Sequence, residues 1–262
     1  MGKLIVIEGL DGSGKSTQLE LLPQNLKDNG IDCKTVSFPD YDNPSSTLVK
    51  MYLKGDFGKK PDDVNAFAAS TFYCVDRYAS FKAHWGEFYN GGGTVVAGRY
   101  TTSNAVHQCS KLPESEWETF LEWLYDFEYN KVAIPKPDKV IFLDMPIEVS
   151  QKLLSGRYKG DESKKDIHES DTNYLNQSYD NAVYVAEMFK WERISCVNEN
   201  DEIKSCNRQV VYKGGIIITI MEGRPPLYKK FHKEKEKNMP MLCAILWILN
   251  CLMKHMVMLT QM

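Results

Sequence analysis

The chain has no C-x-x-C pair, although it carries seven cysteines among its 262 residues, set far apart at 33, 74, 109, 196, 206, 243 and 251. An odd, scattered set of this kind excludes a disulfide framework and a zinc ribbon, and reads as reduced intracellular thiols. No strong charge of either sign is present: the net charge is −3, which gives no electrostatic reason to expect nucleic-acid binding. There is no charged-then-apolar leader at the start, so the expected compartment is the cytoplasm. No run is long enough to cross a membrane, which takes about 18–20 apolar residues. The nearest approach is Met241 to Met253, thirteen mostly apolar residues broken by Asn250 behind a lysine-rich stretch from Lys229 to Lys237. A buried or irregular extension is expected there, with an interfacial helix or tail anchor as the alternative. Internal repeats are absent too.

What is present is an ordinary globular balance, 43% apolar and 26% charged, in a length suited to one large α/β domain or one domain with an appendage. Short runs rich in Val, Ile or Phe predict strands at about 3–8, 33–38, 94–98, 139–143 and 193–197. Helical stretches separate them, the rhythm of a five-stranded parallel sheet flanked by helices. The longest helix is expected from Asp62 to about Tyr89, with Val64, Phe67, Thr71, Val75, Tyr78, Trp85 and Phe88 at helical spacing and Gly91, Gly92 and Gly93 ending it. Beyond about Ser205 this rhythm stops. The domain expected is therefore 1–205, followed by an atypical tail over 206–262.

Between the first strand and the next helix lie Gly9, Leu10, Asp11, Gly12, Ser13, Gly14, Lys15, Ser16 and Thr17. They fit the G-x-x-x-x-G-K-[ST] phosphate loop in its required strand–loop–helix setting. Backbone N–H groups of Gly9 to Gly14 can converge on phosphate oxygens, and the helix beginning at Lys15 adds the positive end of its dipole. Lys15 can reach the terminal phosphates, Thr17 completes the loop, and the Ser16 hydroxyl can ligand Mg2+. A nucleoside triphosphate is the expected ligand. No N-K-x-D or T-K-x-D guanine-reading motif occurs, which argues against a GTPase.

Ligands of such sheets collect at the carboxyl ends of strands, which draws attention to Phe38, Arg99 and their neighbours. Arg99 can hold a phosphate bidentately in a way lysine cannot; pairing with a neighbouring acid is the alternative. Tyr73 and Arg77 stand four apart on one helix and so share a face, fit to stack a base and steer its polar edge. A core tyrosine beside a surface arginine is the plainer alternative. Ser103, Asn104 and Gln108 open the helix after Arg99, and an amide such as Gln108 offers both donor and acceptor to a pyrimidine. His107 beside it reads as an ordinary helix residue.

Taken together, Glu8 to Gln18, Phe38-Pro39, Asp76-Arg77-Tyr78, Gly98-Arg99-Tyr100 and Pro135-Lys136-Pro137-Asp138 running into Val140 to Asp144 resemble the thymidylate kinases, over about residues 1–205. The resemblance implies ATP-dependent phosphorylation of dTMP to dTDP, feeding dTTP synthesis, with Mg2+ and a homodimer. It implies that Tyr73 and Arg77 face the thymine ring, that Arg99 grips the monophosphate, that Tyr100 lies against the sugar, and that Asp11 sits near the acceptor. Some members of that family place an arginine within the loop, where this chain has Gly12. Others supply the charge from a mobile lid, here about 156–171, in which Arg157 is the expected catalytic cation and Lys164 or Lys165 its helpers. An arginine reaching a transferring phosphoryl group can be worth ~10³-fold or more.

Three features depart from the family's pattern. Gly98 stands where the family usually has an aspartate, leaving Ser16, phosphates and water as the expected metal shell. Asp40-Tyr41-Asp42 follows Phe38-Pro39 where an arginine is frequent. The tail from about Asn207 has no counterpart, and a reading-frame shift near codon 206 is one explanation. Asp144, which opens the approach to the lid helix, is expected to be structural. Two rival functions follow: a deoxynucleoside kinase or a kinase for another monophosphate, with Asp11 or Glu8 as base, and a nucleotide-binding protein with little turnover.

Overall fold

The computed structural model describes residues 1–158, 168, 171–204, 211–213 and 216–218. Five strands, β1 (Lys3–Glu8), β2 (Cys33–Ser37), β3 (Thr94–Gly98), β4 (Lys139–Asp144) and β5 (Glu192–Ser195), form one sheet in the order β2-β3-β1-β4-β5. Every pairing is parallel, with Ile5 opposite Val96 on one side of β1 and Val6 opposite Val140 on the other. The five strands expected from the sequence are all there, their ends within two residues.

Alternation along β1 divides the core into two layers. Ile5 and Ile7 point to one face, where they meet Leu22 and Leu26 of α1 (Lys15–Asp28) together with Ile141 and Leu143. Leu4 and Val6 point to the other, against Phe81, Trp85, Val95 and Tyr100. Both faces are covered, which is why the central strands are nearly continuous apolar runs.

The remaining helices are α2 (Thr47–Lys54), α3 (Ala66–Ser80), α4 (Gly86–Asn90), α5 (Thr101–His107), α6 (Trp117–Tyr125), α7 (Ile147–Tyr158) and α8 (Thr172–Met188). The long helix expected from Asp62 begins instead at Ala66. The Asn65 side chain caps it by accepting from Ala68 N at 2.8 Å, while Pro61–Asp63 makes a separate 3-10 turn. A π turn at Phe81–Trp85 joins α3 to α4. The buried face of α3 carries Ala66, Ala69, Ser70, Cys74 and Arg77, whereas Phe67, Val75 and Tyr78 of the apolar stripe are exposed.

The compact unit holding the sheet runs Met1–Glu222 and ends in a two-stranded antiparallel ribbon, β6 (Val211–Lys213) and β7 (Ile216–Ile218). The apolar run from Met241, the lysines from Lys229, the suspected frame shift near 206 and most of the lid, with Lys164 and Lys165, lie outside the described residues. No helix among the described residues is long and apolar enough to cross a membrane. Cys33, Cys74, Cys109 and Cys196 are buried free thiols.

Candidate functional site

The phosphate loop leaves β1 at Glu8 and re-enters regular structure at Lys15. Gly14 caps α1 with φ of 90°, a left-handed conformation cheap only for glycine. Gly12 has φ of 78°, and a Cβ there would lie 2.8 Å from Ser150 O and 3.3 Å from Leu154 Cγ of α7. The helix leading to the lid therefore packs directly on the loop and leaves no room for a side chain. An arginine at this position is excluded sterically.

Glu8 is 1% exposed and organises the base of the loop. Its carboxylate accepts from Gly9 N at 3.0 Å, Thr102 Oγ1 at 2.8 Å and Ser103 Oγ at 2.8 Å. Arg99 stands at the carboxyl end of β3 with φ of 62°, a left-handed backbone in a non-glycine residue, the kind of local strain that collects at working sites. Its guanidinium donates to Asp11 Oδ1 at 2.6 Å and to His107 Nε2 at 3.1 Å, and lies 3.8 Å from Glu8 Oε1. Lys15 Nζ donates to Leu10 O at 2.7 Å and is 3.7 Å from Asp11 Oδ1.

Asp11 thus sits between two cations. Burial would raise its carboxyl, but Arg99 first, then Lys15, outweigh this and hold it well below the carboxylate range. Burial and the neighbouring Arg99 lower the Lys15 ammonium to about 8, against the pull of Asp11 and Glu8. His107, read from sequence as an ordinary helix residue, is part of the site. Burial, with Arg99 and His168 beside it, depresses its pKa well below the usual value, so the ring is neutral. Arginine can only donate, so Nε2 accepts and the ring proton belongs on Nδ1.

These groups rim a cavity of about 390 Å³. Ser16, Phe38, Tyr73, Tyr100, Ser103 and Asn104 also border it, with Gln108 and His168. Gln108 Oε1 and His107 Nδ1, an acceptor and a donor, are buried without hydrogen-bond partners. Gly9, Ser13 and Thr17 belong to the loop but not to this wall. Two expected residues are held differently from the sequence picture. Arg77 is not a surface arginine: it is 1% exposed and forked onto Glu128, with Nε–Oε2 at 2.9 Å and a second bond from NH2 to Oε1. Thr101 Oγ1 donates to the same carboxylate at 2.6 Å and Asn104 Nδ2 at 3.2 Å. Tyr100 is fully buried, and its hydroxyl donates to Pro135 O at 3.0 Å. Arg157 lies in the last turn of α7, and its side chain is outside the described residues.

Leu19 fills the space beside Gly98, where a Cβ would collide with its side chain. Asp76 turns out to be structural, accepting from Asp40 N at 2.8 Å and Ser45 Oγ at 2.7 Å to shape the segment after Phe38-Pro39. Asp144 ties Tyr179 Oη at 2.8 Å and Arg193 Nε at 2.9 Å, a structural role in line with expectation. Among the described residues no cluster of three His, Cys, Asp or Glu could hold a metal. The Ser16 hydroxyl, a hard oxygen donor, borders the cavity and could ligate a cation otherwise held by phosphate and water. Glu8, acidic at the end of an apolar strand, was open to detection in the sequence. Glu128, His107 and His168 gave no local signal.

Comparison with known proteins places this chain in a family. The thymidylate kinase family model matches residues 7–210. Thymidylate kinase of Mycobacterium tuberculosis is 29% identical over 183 residues, 69% of this chain and 83% of that protein. A probable thymidylate kinase of Thermococcus gammatolerans is 28% identical over 213 residues, 80% of this chain and 95% of the relative. Among solved structures, thymidylate kinase from Candida albicans superimposes with a TM-score of 0.55 at 21% identity, covering 74% of this chain and 83% of that one, and so shares the fold. The chain belongs to the thymidylate kinase family, a family of phosphotransferases.

Proposed function

We propose that this enzyme transfers the γ-phosphoryl group of ATP to the phosphate of dTMP, giving ADP and dTDP for dTTP synthesis in the cytoplasm. The observation that carries this reading is the meeting of Arg99 and Lys15 across Asp11, where the phosphate loop borders the 390 Å³ cavity. The loop amides of Gly9 to Gly14 and Lys15 hold the donor. Arg99 holds the acceptor phosphate, and Asp11 fixes Arg99 and Lys15 relative to each other. Tyr73, Phe38, Asn104 and Gln108 form the base end, which His107 also borders. Ser16 would hold Mg2+, which neutralises phosphate charge when bound.

An acceptor phosphate oxygen already carries a lone pair and negative charge, so the step needs no general base. It attacks the γ-phosphorus while the bond to the β–γ bridging oxygen breaks, and that oxygen leaves with ADP. Catalysis comes from alignment and from cations placed where charge develops. The lid, with Arg157, supplies the positive charge that Gly12 cannot. A nucleoside acceptor would need a free carboxylate, yet Glu8 accepts three hydrogen bonds and Asp11 is paired with Arg99 and Lys15, which weighs against a nucleoside kinase.

A coupled ADP-release assay with dTMP, dUMP, thymidine or no acceptor tests the assignment. Turnover is expected on dTMP and to be lost in Lys15→Ala. Turnover on thymidine but not dTMP would overturn it, and ATP binding with no turnover on any acceptor would make the chain a nucleotide-binding protein. Residues 1–205 are taken as the catalytic domain. The exposed Phe67, Val75 and Tyr78 stripe on α3 supports a homodimer built on that face. Val75→Glu should then shift the sedimentation coefficient of the full chain to that of a monomer; an unchanged coefficient removes α3 from the interface.

A further inference from the structure

A second cavity, of about 380 Å³, opens where β4 and β5 begin, at Lys139 and Glu192, the sheet end opposite the phosphate loop. Its walls are aromatic. Tyr125 and Tyr129 stack at 5.3 Å with an interplanar angle of 26°, and Phe189 meets Tyr125 edge-on at 4.8 Å. Trp191 lines it as well, and the cavity reaches inward to Thr102.

The charges around it do not cancel. Lys139 pairs with Glu192 at 3.4 Å and Asp138 with Lys3 at 3.0 Å. Lys136 and Lys190 line the same cavity, and neither has an ion-pair partner among the described residues. Lys190 is unusual in its backbone too. It follows α8 with φ of 54°, and Trp191 N closes the turn on Ala186 O at 2.8 Å. Helices commonly end this way on glycine, since any Cβ is strained there. Here a lysine occupies the position and contributes to the cavity wall.

We propose that this cavity is a second nucleotide site, distinct from the phosphate-loop cavity, which takes a nucleoside monophosphate. A flat base can lie against this wall of packed rings. Two unpaired ammonium groups match a phosphomonoester dianion, and the volume is close to that of the acceptor cavity, 380 against 390 Å³. An occupant would lie one side chain from the catalytic end, because the Thr102 hydroxyl donates to Glu8 at 2.8 Å and Glu8 accepts from Gly9 N at 3.0 Å.

Equilibrium dialysis of the full chain with labelled dTMP tests this. The wild type should bind two equivalents. Lys136→Ala with Lys190→Gly should remove one of them; glycine suits the Lys190 backbone, so the fold is retained. Arg99→Ala should remove the other and leave the second site filled, with dTMP still quenching the Trp191 fluorescence that Trp191→Phe abolishes. Thymidine and ribose 5-phosphate, each lacking half of the recognition, should bind there at least ~10-fold more weakly. A single equivalent in the wild type, two equivalents in the lysine variant, or equal binding of ribose 5-phosphate would overturn the site. Turnover on dTMP is read separately, so loss of this site and loss of the kinase assignment are distinguishable.

Discussion

Arg77 and Arg99 border the same cavity and each is paired with a carboxylate, yet the two pairs are built in opposite ways. The Arg77–Glu128 pair has side chains 1% and 0% exposed, and every oxygen of Glu128 is engaged by Arg77, Thr101 or Asn104. The Arg99–Asp11 pair has side chains 17% and 35% exposed and opens onto the phosphate loop. A fully buried pair is costly to break and cannot exchange partners, because either ion left alone in the interior is uncompensated. A half-open pair is screened by water and can trade its carboxylate for a substrate phosphate at little cost. One arginine therefore builds the floor of the cavity, and the other is available for chemistry.

Breaking the floor should have the largest effect. Glu128→Gln leaves the Arg77 charge buried without its counter-ion and is expected to cost about 3–5 kcal/mol of stability. Urea denaturation reads this directly, and an unchanged midpoint would mean that the pair is not the anchor described here. At the mouth the effect falls on catalysis instead. Arg99→Lys keeps the charge but loses the fork, and should lower kcat/KM for dTMP by about 10²–10³-fold, the scale of one lost transition-state donor. The melting temperature should move little, and a large fall would erase the contrast between the two pairs.

A smaller effect, in stability, sharpens the contrast through the histidines behind Arg99. Burial, followed by Lys111, lowers His168 to about 3, and burial with Arg99 depresses His107. Both are neutral when folded, while in the unfolded chain they titrate near 6.5. The unfolded state therefore binds more protons below that value. Stability is full above pH ~6.5 and falls as the pH drops, by up to about 2 kcal/mol per histidine at pH ~5. Thermal melts between pH 7 and 5 should show the slope, and His107→Asn should reduce it. A slope that His107→Asn leaves unaltered would place the titration elsewhere.

Much of the architecture was open to a reader of the sequence. Each of the five apolar strand runs, and the glycine-rich loop, is a pattern written in a few consecutive residues, and parallel strands joined by helical crossovers leave few ways to stack them. The α3 boundary was less open. The acidic Asp62 and Asp63 imitate a helix start, but the Asn65 cap fixes the true one. The stripe of Phe67, Val75 and Tyr78 has core-like spacing, yet the face packed inward is the small and polar one, since Arg77 and Asp76 are needed there. Periodicity shows that a helix has two faces; which face is buried depends on what it packs against.

The amino-acid sequence by itself determined a phosphate loop on a parallel sheet, the positions of its strands, and an arginine at the carboxyl end of the third one. Tertiary structure decided what each charged group is for. Arg77 meets Glu128 across 51 positions, and Arg99 meets Asp11 across 88. Gly12 is kept bare by Ser150 and Leu154 of a helix more than a hundred residues later. An ion pair's worth depends on its partner and on the water left around it. Both are set by which strands the sheet brings side by side, and no local pattern in the chain encodes them.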